Sequence, residues 1–129
     1  MTQSNNSAPR VLYVEDDANL RYTLCKMLEF LGYQVNSAEN GRDGVEKAKS
    51  WQPDVILMDI RMPVMDGIEA IGVLRSDPDT AGIPIFMLSA FTDAKTRQAC
   101  EAADGFFTKP PNMQKIDVTI RKILNSKGG

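Results

Sequence analysis

Two unbroken apolar runs, Val11-Leu12-Tyr13-Val14 and Val55-Ile56-Leu57-Met58, each end in acid, Glu15-Asp16-Asp17 after the first and Asp59 after the second. A strand that is apolar on consecutive residues must be covered on both faces, which is the condition of a parallel sheet layered between helices. In an open parallel sheet, ligands sit outside the carboxyl ends of the strands, where the order of connection reverses. If these two strands are neighbours, Glu15, Asp16 and Asp59 converge there. Like charges at such range need a cation among them or raised pKa values. A hard divalent ion such as Mg²⁺ meets the first condition and points towards phosphate chemistry.

The rest of the chain alternates strand and helix patterns. Leu20, Leu24, Met27, Leu28 and Leu31 share one helical face, and Gly32 stands where that helix should end. Residues 35–38 predict a short edge strand. Asn40 and Asp43 predict the cap of a second helix with Val45 and Ala48 on its apolar side. A strand at 54–58 follows Pro53, and Asp66 with Glu69 forms a capping pair for a third helix that turns Ile68, Ile71 and Leu74 inward. Breakers make 77–82 a loop. Residues 83–88 predict a fourth strand with Pro84 tolerated near its start. A weakly amphipathic helix is expected at 92–103, then a brief strand at 105–108. Met113, Ile116, Ile120, Ile123 and Leu124 stripe a last helix. Five strands alternating with five helices predict a doubly wound α/β fold. The expected folded unit is one domain, residues 10–125, between a polar N-terminal tail at 1–9 and a C-terminal tail at 126–129.

Composition removes several function classes. With 129 residues the chain suits a single core, and a net charge of −2 without blocks of one sign offers nothing to nucleic acid or to an anionic membrane surface. No apolar segment approaches the roughly 20 residues that span a bilayer. The N-terminus lacks the basic and apolar regions of a secretory signal. Cys25 and Cys100 fall in helical patterns without metal-binding or redox spacing, as expected of reduced thiols in a cytoplasmic protein. Histidine is absent, and with it the commonest general base and zinc ligand.

Fold alone does not give function. Glu15 and Asp16, Asp59, Ser89 and Lys109 all stand at or just past the carboxyl ends of expected strands, which the topology brings to one edge. Together they can move a phosphoryl group onto a carboxylate. Asp16 and Asp59, with Glu15 directly or through water, would hold the metal that neutralises phosphate oxygens. Asp59 would be the nucleophile, since a carboxylate can carry an acyl phosphate and needs no base to ionise it. Lys109 would pair with one phosphoryl oxygen and Ser89 would hydrogen-bond another. Plainer roles compete: an acid of the 15–17 run can cap the first helix, Ser89 can bond locally in its turn, and Tyr13 and Trp51 read as core or rim aromatics. Capping needs one acid, however, and the chain supplies three. Pro110 restricts Lys109 to extended backbone and makes the bond between them a candidate cis peptide.

Four motifs in register, Val11-Leu12-Tyr13-Val14-Glu15-Asp16-Asp17, Met58-Asp59-Ile60-Arg61-Met62-Pro63 with Asp66-Gly67, Leu88-Ser89-Ala90 and Gly105-Phe106-Phe107-Thr108-Lys109-Pro110, resemble the receiver domain of two-component response regulators. The resemblance covers residues 10 to 125 and is closest to stand-alone, chemotaxis-regulator-like members. It implies a flavodoxin-like five-stranded parallel sheet of order 2-1-3-4-5 with five helices. It makes Asp59 the phosphoacceptor, Glu15 and Asp16 the acidic pair of an Mg²⁺ site, and the backbone carbonyl of Arg61 a further ligand. Ser89 becomes the switch hydroxyl, Lys109 the lysine that contacts phosphate, and Phe106 the aromatic switch position.

The implied donor is a sensor histidine kinase or histidine phosphotransfer protein. The implied output is a downstream protein partner meeting the surface of the fourth helix, fifth strand and fifth helix, with the chain a monomer or a phosphorylation-dependent dimer. Such a domain is no enzyme in the ordinary sense, although it assists its own phosphorylation and dephosphorylation. Two departures stand out: Phe106 where many members have Tyr, so that inward switching rests on packing, and Pro111 directly after Pro110. Arg61 and Phe91, each two residues beyond a site residue, are expected to set the lifetime of the phosphate. Three rivals are weaker. A haloacid-dehalogenase-like phosphatase needs an acid where Arg61 stands. A flavin module needs a Ser/Thr/Gly-rich loop where the chain has acids. A receiver working without phosphorylation has no use for the intact acid, hydroxyl and lysine set.

Overall fold

The computed structural model describes residues 8–90 and 94–128. Strands and helices alternate as β1 (Arg10–Val14), α1 (Ala18–Phe30), β2 (Gln34–Ala38), α2 (Gly41–Trp51), β3 (Val55–Asp59), α3 (Gly67–Ser76), β4 (Ile85–Ser89), α4 (Ala94–Ala99), β5 (Gly105–Thr108) and α5 (Met113–Gly128). All neighbouring strands are parallel and their order is β2-β1-β3-β4-β5. This is the flavodoxin-like sheet expected from the sequence. The chain steps from β1 outward to β2 and returns to β3 on the other side, so the switch point lies between β1 and β3.

The period of two along each strand divides the core into halves. Leu12, Val14, Ile56, Met58, Ile85 and Met87 pack with Ala48 of α2 and with Ala70, Ile71 and Leu74 of α3. Val11, Tyr13, Val55, Leu57, Phe86 and Leu88 pack with Leu24 and Leu28 of α1 and with Ile116 and Ile120 of α5. Each large side chain fully buried this way contributes about 1.5–3 kcal/mol. The consecutive apolar runs are therefore strands that serve both halves.

Side chains start the helices as expected. Asn40 Oδ1 accepts from the Asp43 N–H at 2.9 Å, and Asp66 Oδ1 from the Glu69 N–H at 2.9 Å. At α1 the cap is Asp17, whose Oδ1 accepts from Leu20 N–H at 3.0 Å, which leaves Glu15 and Asp16 for other work. Gly32, at φ +101°, turns the chain after α1 in a backbone region that favours glycine.

Some details differ from expectation. Met27 is 44% exposed and Ile68 37%, because Leu24 with Leu28, and Ile71 with Leu74, already fill the contact with the sheet and leave these two on the shoulders of their helices. Strand β4 begins at Ile85, since Pro84 has no N–H for the ladder, although its carbonyl accepts from Ile56 N–H at 2.9 Å. Helix α4 ends at Ala99, and Cys100 N–H is shared between the carbonyls of Thr96 and Arg97, both at 3.2 Å. None of its residues is buried, so packing does not extend it. Its expected start at Thr92 lies outside the described residues. Helix α5 runs to Gly128, past residue 125 where the sequence reading ends the domain, because no breaker interrupts it earlier.

Candidate functional site

The strand register gathers the candidate residues. Val14 pairs with Met58, Asp59 with Leu88, and Ser89 with Thr108, so Glu15 and Asp16, Asp59, Ser89 and Lys109 leave neighbouring strands at one edge. The peptide between Lys109 and Pro110 is cis. Oxygens of Glu15, Asp16 and Asp59 lie within 4.8 Å of one another, with Glu15 and Asp59 buried and Asp16 exposed. Lys109 Nζ bridges the two buried carboxylates, 3.2 Å from Glu15 Oε1 and 3.1 Å from Asp59 Oδ1. Asp59, Ile60, Arg61, Ser89, Ala90 and Lys109 line a cavity of about 120 Å³. Ser89 is itself 5% exposed, and its carbonyl accepts from Lys109 N–H at 2.9 Å.

Backbone contacts hold this edge in place. Gly67 N–H donates to the Ile60 carbonyl at 2.8 Å, and Gly41 N–H to the Met65 carbonyl at 2.8 Å, which tie the loop after Asp59 to the starts of α3 and α2. Both contacts are too close for any side chain. A Cβ on Gly67 would stand 2.5 Å from the Asp59 carbonyl oxygen, and one on Gly41 would stand 2.3 Å from that of Met65.

The charges are mutually dependent. Burial pushes the Glu15 carboxyl up from the ordinary value; the Asp17 N–H pulls it down, Asp59 pushes it up again, and Lys109 pulls it down. For Lys109, burial works to lower the pKa, but the hydrogen bond and charge of Asp59, and then Glu15, outweigh it and raise the result. Lys109 therefore stays a cation at neutral pH.

Two residues here escaped the sequence reading. Arg21 donates to the carbonyls of Glu15 at 2.7 Å and Asp16 at 3.4 Å, fixing the backbone of the acidic turn from the first turns of α1. Tyr13, taken as a core aromatic, is fully buried but donates its hydroxyl to Glu15 Oε1 at 3.1 Å. The available signal was spacing: residues two apart on a strand share a face.

The chain and its fold have counterparts among known proteins. The family described as response regulator receiver domain matches residues 11–121. The chain belongs to that family. Protein PilH of Pseudomonas aeruginosa is 38% identical over 118 residues, covering 89% of this chain and 97% of that one. Among solved structures, the Vibrio cholerae chemotaxis protein CheY4 superposes with a TM-score of 0.84 at 32% identity, over 90% of this receiver domain and 98% of CheY4. The receiver domain of the Pseudomonas aeruginosa sensor histidine kinase PA1611 has a TM-score of 0.84 at 28% identity, over 90% and 97% of the two chains, and that structure carries a magnesium ion in its active-site cleft. Further curated relatives named as transcriptional regulatory proteins are longer, and this chain spans about half of them, 52% in one case.

The donor set of this receiver domain suits a hard divalent cation. Three carboxylates offer oxygen ligands from one small spot, two of them already desolvated, and Arg61 lines the adjoining cavity. Phe106 on β5 is half-buried against the half of the core that holds Met58 and Met87. The Arg97 guanidinium of α4 lies 5.6 Å from the centre of its ring. Phe91, the second residue expected to tune phosphate lifetime, lies outside the described residues. No helix among the described residues is long and apolar enough to cross a membrane.

Proposed function

We propose that this receiver domain takes a phosphoryl group from a phosphohistidine onto Asp59 and uses the acyl phosphate to alter the face formed by α4, β5 and α5. The observation that carries the reading is the meeting of Asp59, Ser89 and Lys109 around one cavity beside the cluster of Glu15, Asp16 and Asp59. The donor is a sensor histidine kinase or histidine phosphotransfer protein. Glu15, Asp16 and Asp59, with the Arg61 carbonyl, would hold Mg²⁺, which when bound neutralises charge on the phosphoryl oxygens during transfer.

A carboxylate oxygen of Asp59 attacks phosphorus as the P–N bond of the donor breaks. The imidazole leaves with the bonding pair and is reprotonated from solvent. Lys109 moves from the carboxylates to one phosphoryl oxygen, and the Ser89 hydroxyl donates to another. Both residues are held by strand ends, so the new bonds draw in the turn after β4 and open space beside Phe106. With a phenyl ring, the inward state rests on packing alone. The phosphate biases two pre-existing arrangements by its differential contacts with them.

The readout is a downstream protein partner, and the chain acts as a switch rather than as a turnover enzyme, in the cytoplasm. The working unit runs from β1 through α5, in monomeric form or as a dimer on phosphorylation. Beryllofluoride, a stable stand-in for the aspartyl phosphate, tests this. With Mg²⁺ it should change amide hydrogen exchange across residues 94–108 and along α5 in wild type, and leave Asp59→Asn unaffected. Identical exchange with and without it in wild type would remove the switch.

A further inference from the structure

Tyr13 lies on the face of β1 that packs against α1 and α5, and Glu15 follows two residues later, just past the strand end. Tyr13 is 0% exposed and Glu15 1%, so water does not compete for either group. The Tyr13 hydroxyl donates to Glu15 Oε1 at 3.1 Å.

The carboxylate is held at both oxygens. Oε1 accepts from the Tyr13 hydroxyl at 3.1 Å and from Lys109 Nζ at 3.2 Å, while Oε2 accepts from Asp17 N–H at 3.1 Å. Of the three donors, the Asp17 amide is fixed by the backbone at the cap of α1, and Lys109 is the one with a second carboxylate partner. The Tyr13 hydroxyl is anchored by a ring locked in the core. When Lys109 swings towards a phosphate oxygen, Oε1 keeps one donor, and the plane of the carboxylate keeps its direction.

We propose that Tyr13 is a positioning residue that orients the Glu15 carboxylate for a divalent cation and keeps it oriented after Lys109 leaves. This rests on the reading of Glu15, Asp16 and Asp59 as the Mg²⁺ site. Partners that orient a ligand in this way typically change metal affinity by 10- to 100-fold when removed. Tyr13 reaches the cation only through Glu15, and Glu15 keeps the Asp17 amide, so the lower end of that range applies.

Calorimetric titration of Mg²⁺ into wild type, Tyr13→Phe and Tyr33→Phe tests the proposal on the whole chain. Phenylalanine fills the same volume at position 13 and lacks only the donor. Tyr33, 4% exposed, supplies a matched control, since its hydroxyl donates to Asp117 Oδ1 at 2.5 Å, far from the acids in the fold. Tyr13→Phe should weaken Mg²⁺ binding about tenfold. Tyr33→Phe should leave it at the wild-type value, whatever either change does to the melting temperature in chelator. Equal Mg²⁺ affinity in wild type and Tyr13→Phe, or tighter binding in the variant, would overturn the role of Tyr13 while leaving the metal site standing. A wild type that binds Mg²⁺ no better than Glu15→Gln would instead overturn the metal site, and the role of Tyr13 with it.

Discussion

Lys109→Ala is expected to weaken the resting fold and the chemistry together, by different amounts under different conditions. Its ammonium lies 3.2 Å from Glu15 Oε1 and 3.1 Å from Asp59 Oδ1, and these side chains are only 2% and 10% exposed. Removing one member of a buried ion pair leaves an uncompensated charge, with a cost of about 3 kcal/mol, the lower end for such losses because the lysine is partly exposed. The pH dependence follows from Glu15. Burial raises its pKa and Lys109 is among the groups that pull it down, so the variant raises it further. A carboxyl whose folded pKa lies above its unfolded value favours the fold when protonated; that contribution is present at low pH and lost as pH rises through the folded pKa. The melting deficit of Lys109→Ala in chelator should therefore be largest at neutral pH and shrink on acidification, and Mg²⁺ should recover part of it. Thermal melts across pH check this, and a deficit independent of pH would contradict it. Under the proposed reaction the same variant loses a donor to the phosphoryl group, a loss of about a hundredfold in the rate of transfer.

Gly67→Ala is expected to have the other large effect, through sterics rather than charge. A methyl group there would sit 2.5 Å from the Asp59 carbonyl oxygen, 2.8 Å from Met87 Cε and 3.0 Å from Ile60 Cα. Met87 can move its terminal methyl. The Asp59 and Ile60 backbone cannot yield without shifting Asp59 or opening the bond from Gly67 N–H to the Ile60 carbonyl. Overpacking of this kind costs about 1–3 kcal/mol. Gly72→Ala, in the same helix with open space around the new methyl, is the matched control and should be neutral or slightly stabilising. Denaturant melts of the two variants separate the contributions. Equal stabilities would show that the start of α3 does not constrain Asp59.

How much of this was legible in the sequence depends on what each residue answers to. The acids just past β1 and at the end of β3 were legible because an apolar run with no polar break fixes a doubly covered strand, and the acid that ends it must lie at the sheet edge. Counting showed that capping α1 needs only one acid of the 15–17 run, but not which; the hydrogen bond from Leu20 N–H identifies it as Asp17. Met27 and Ile68 were misplaced because periodicity marks a face without saying how wide a stripe the sheet covers. The start of β4 and the end of α4 depend on single ladder and terminal hydrogen bonds, which leave little mark on composition. The Tyr13 hydroxyl was missed because a tyrosine inside an apolar run looks like core. Its ring does pack as core, and only the third dimension shows that its oxygen reaches Glu15.

The most direct test of the account is phosphoryl transfer from a small acyl phosphate, read by intact mass and peptide mapping. With Mg²⁺, wild type should gain a single phosphoryl group on the peptide containing Asp59. Asp59→Asn, or chelation of the metal, should abolish the adduct. Equal labelling of wild type and Asp59→Asn, or labelling of wild type on another residue, would contradict the assignment on which the switch is built.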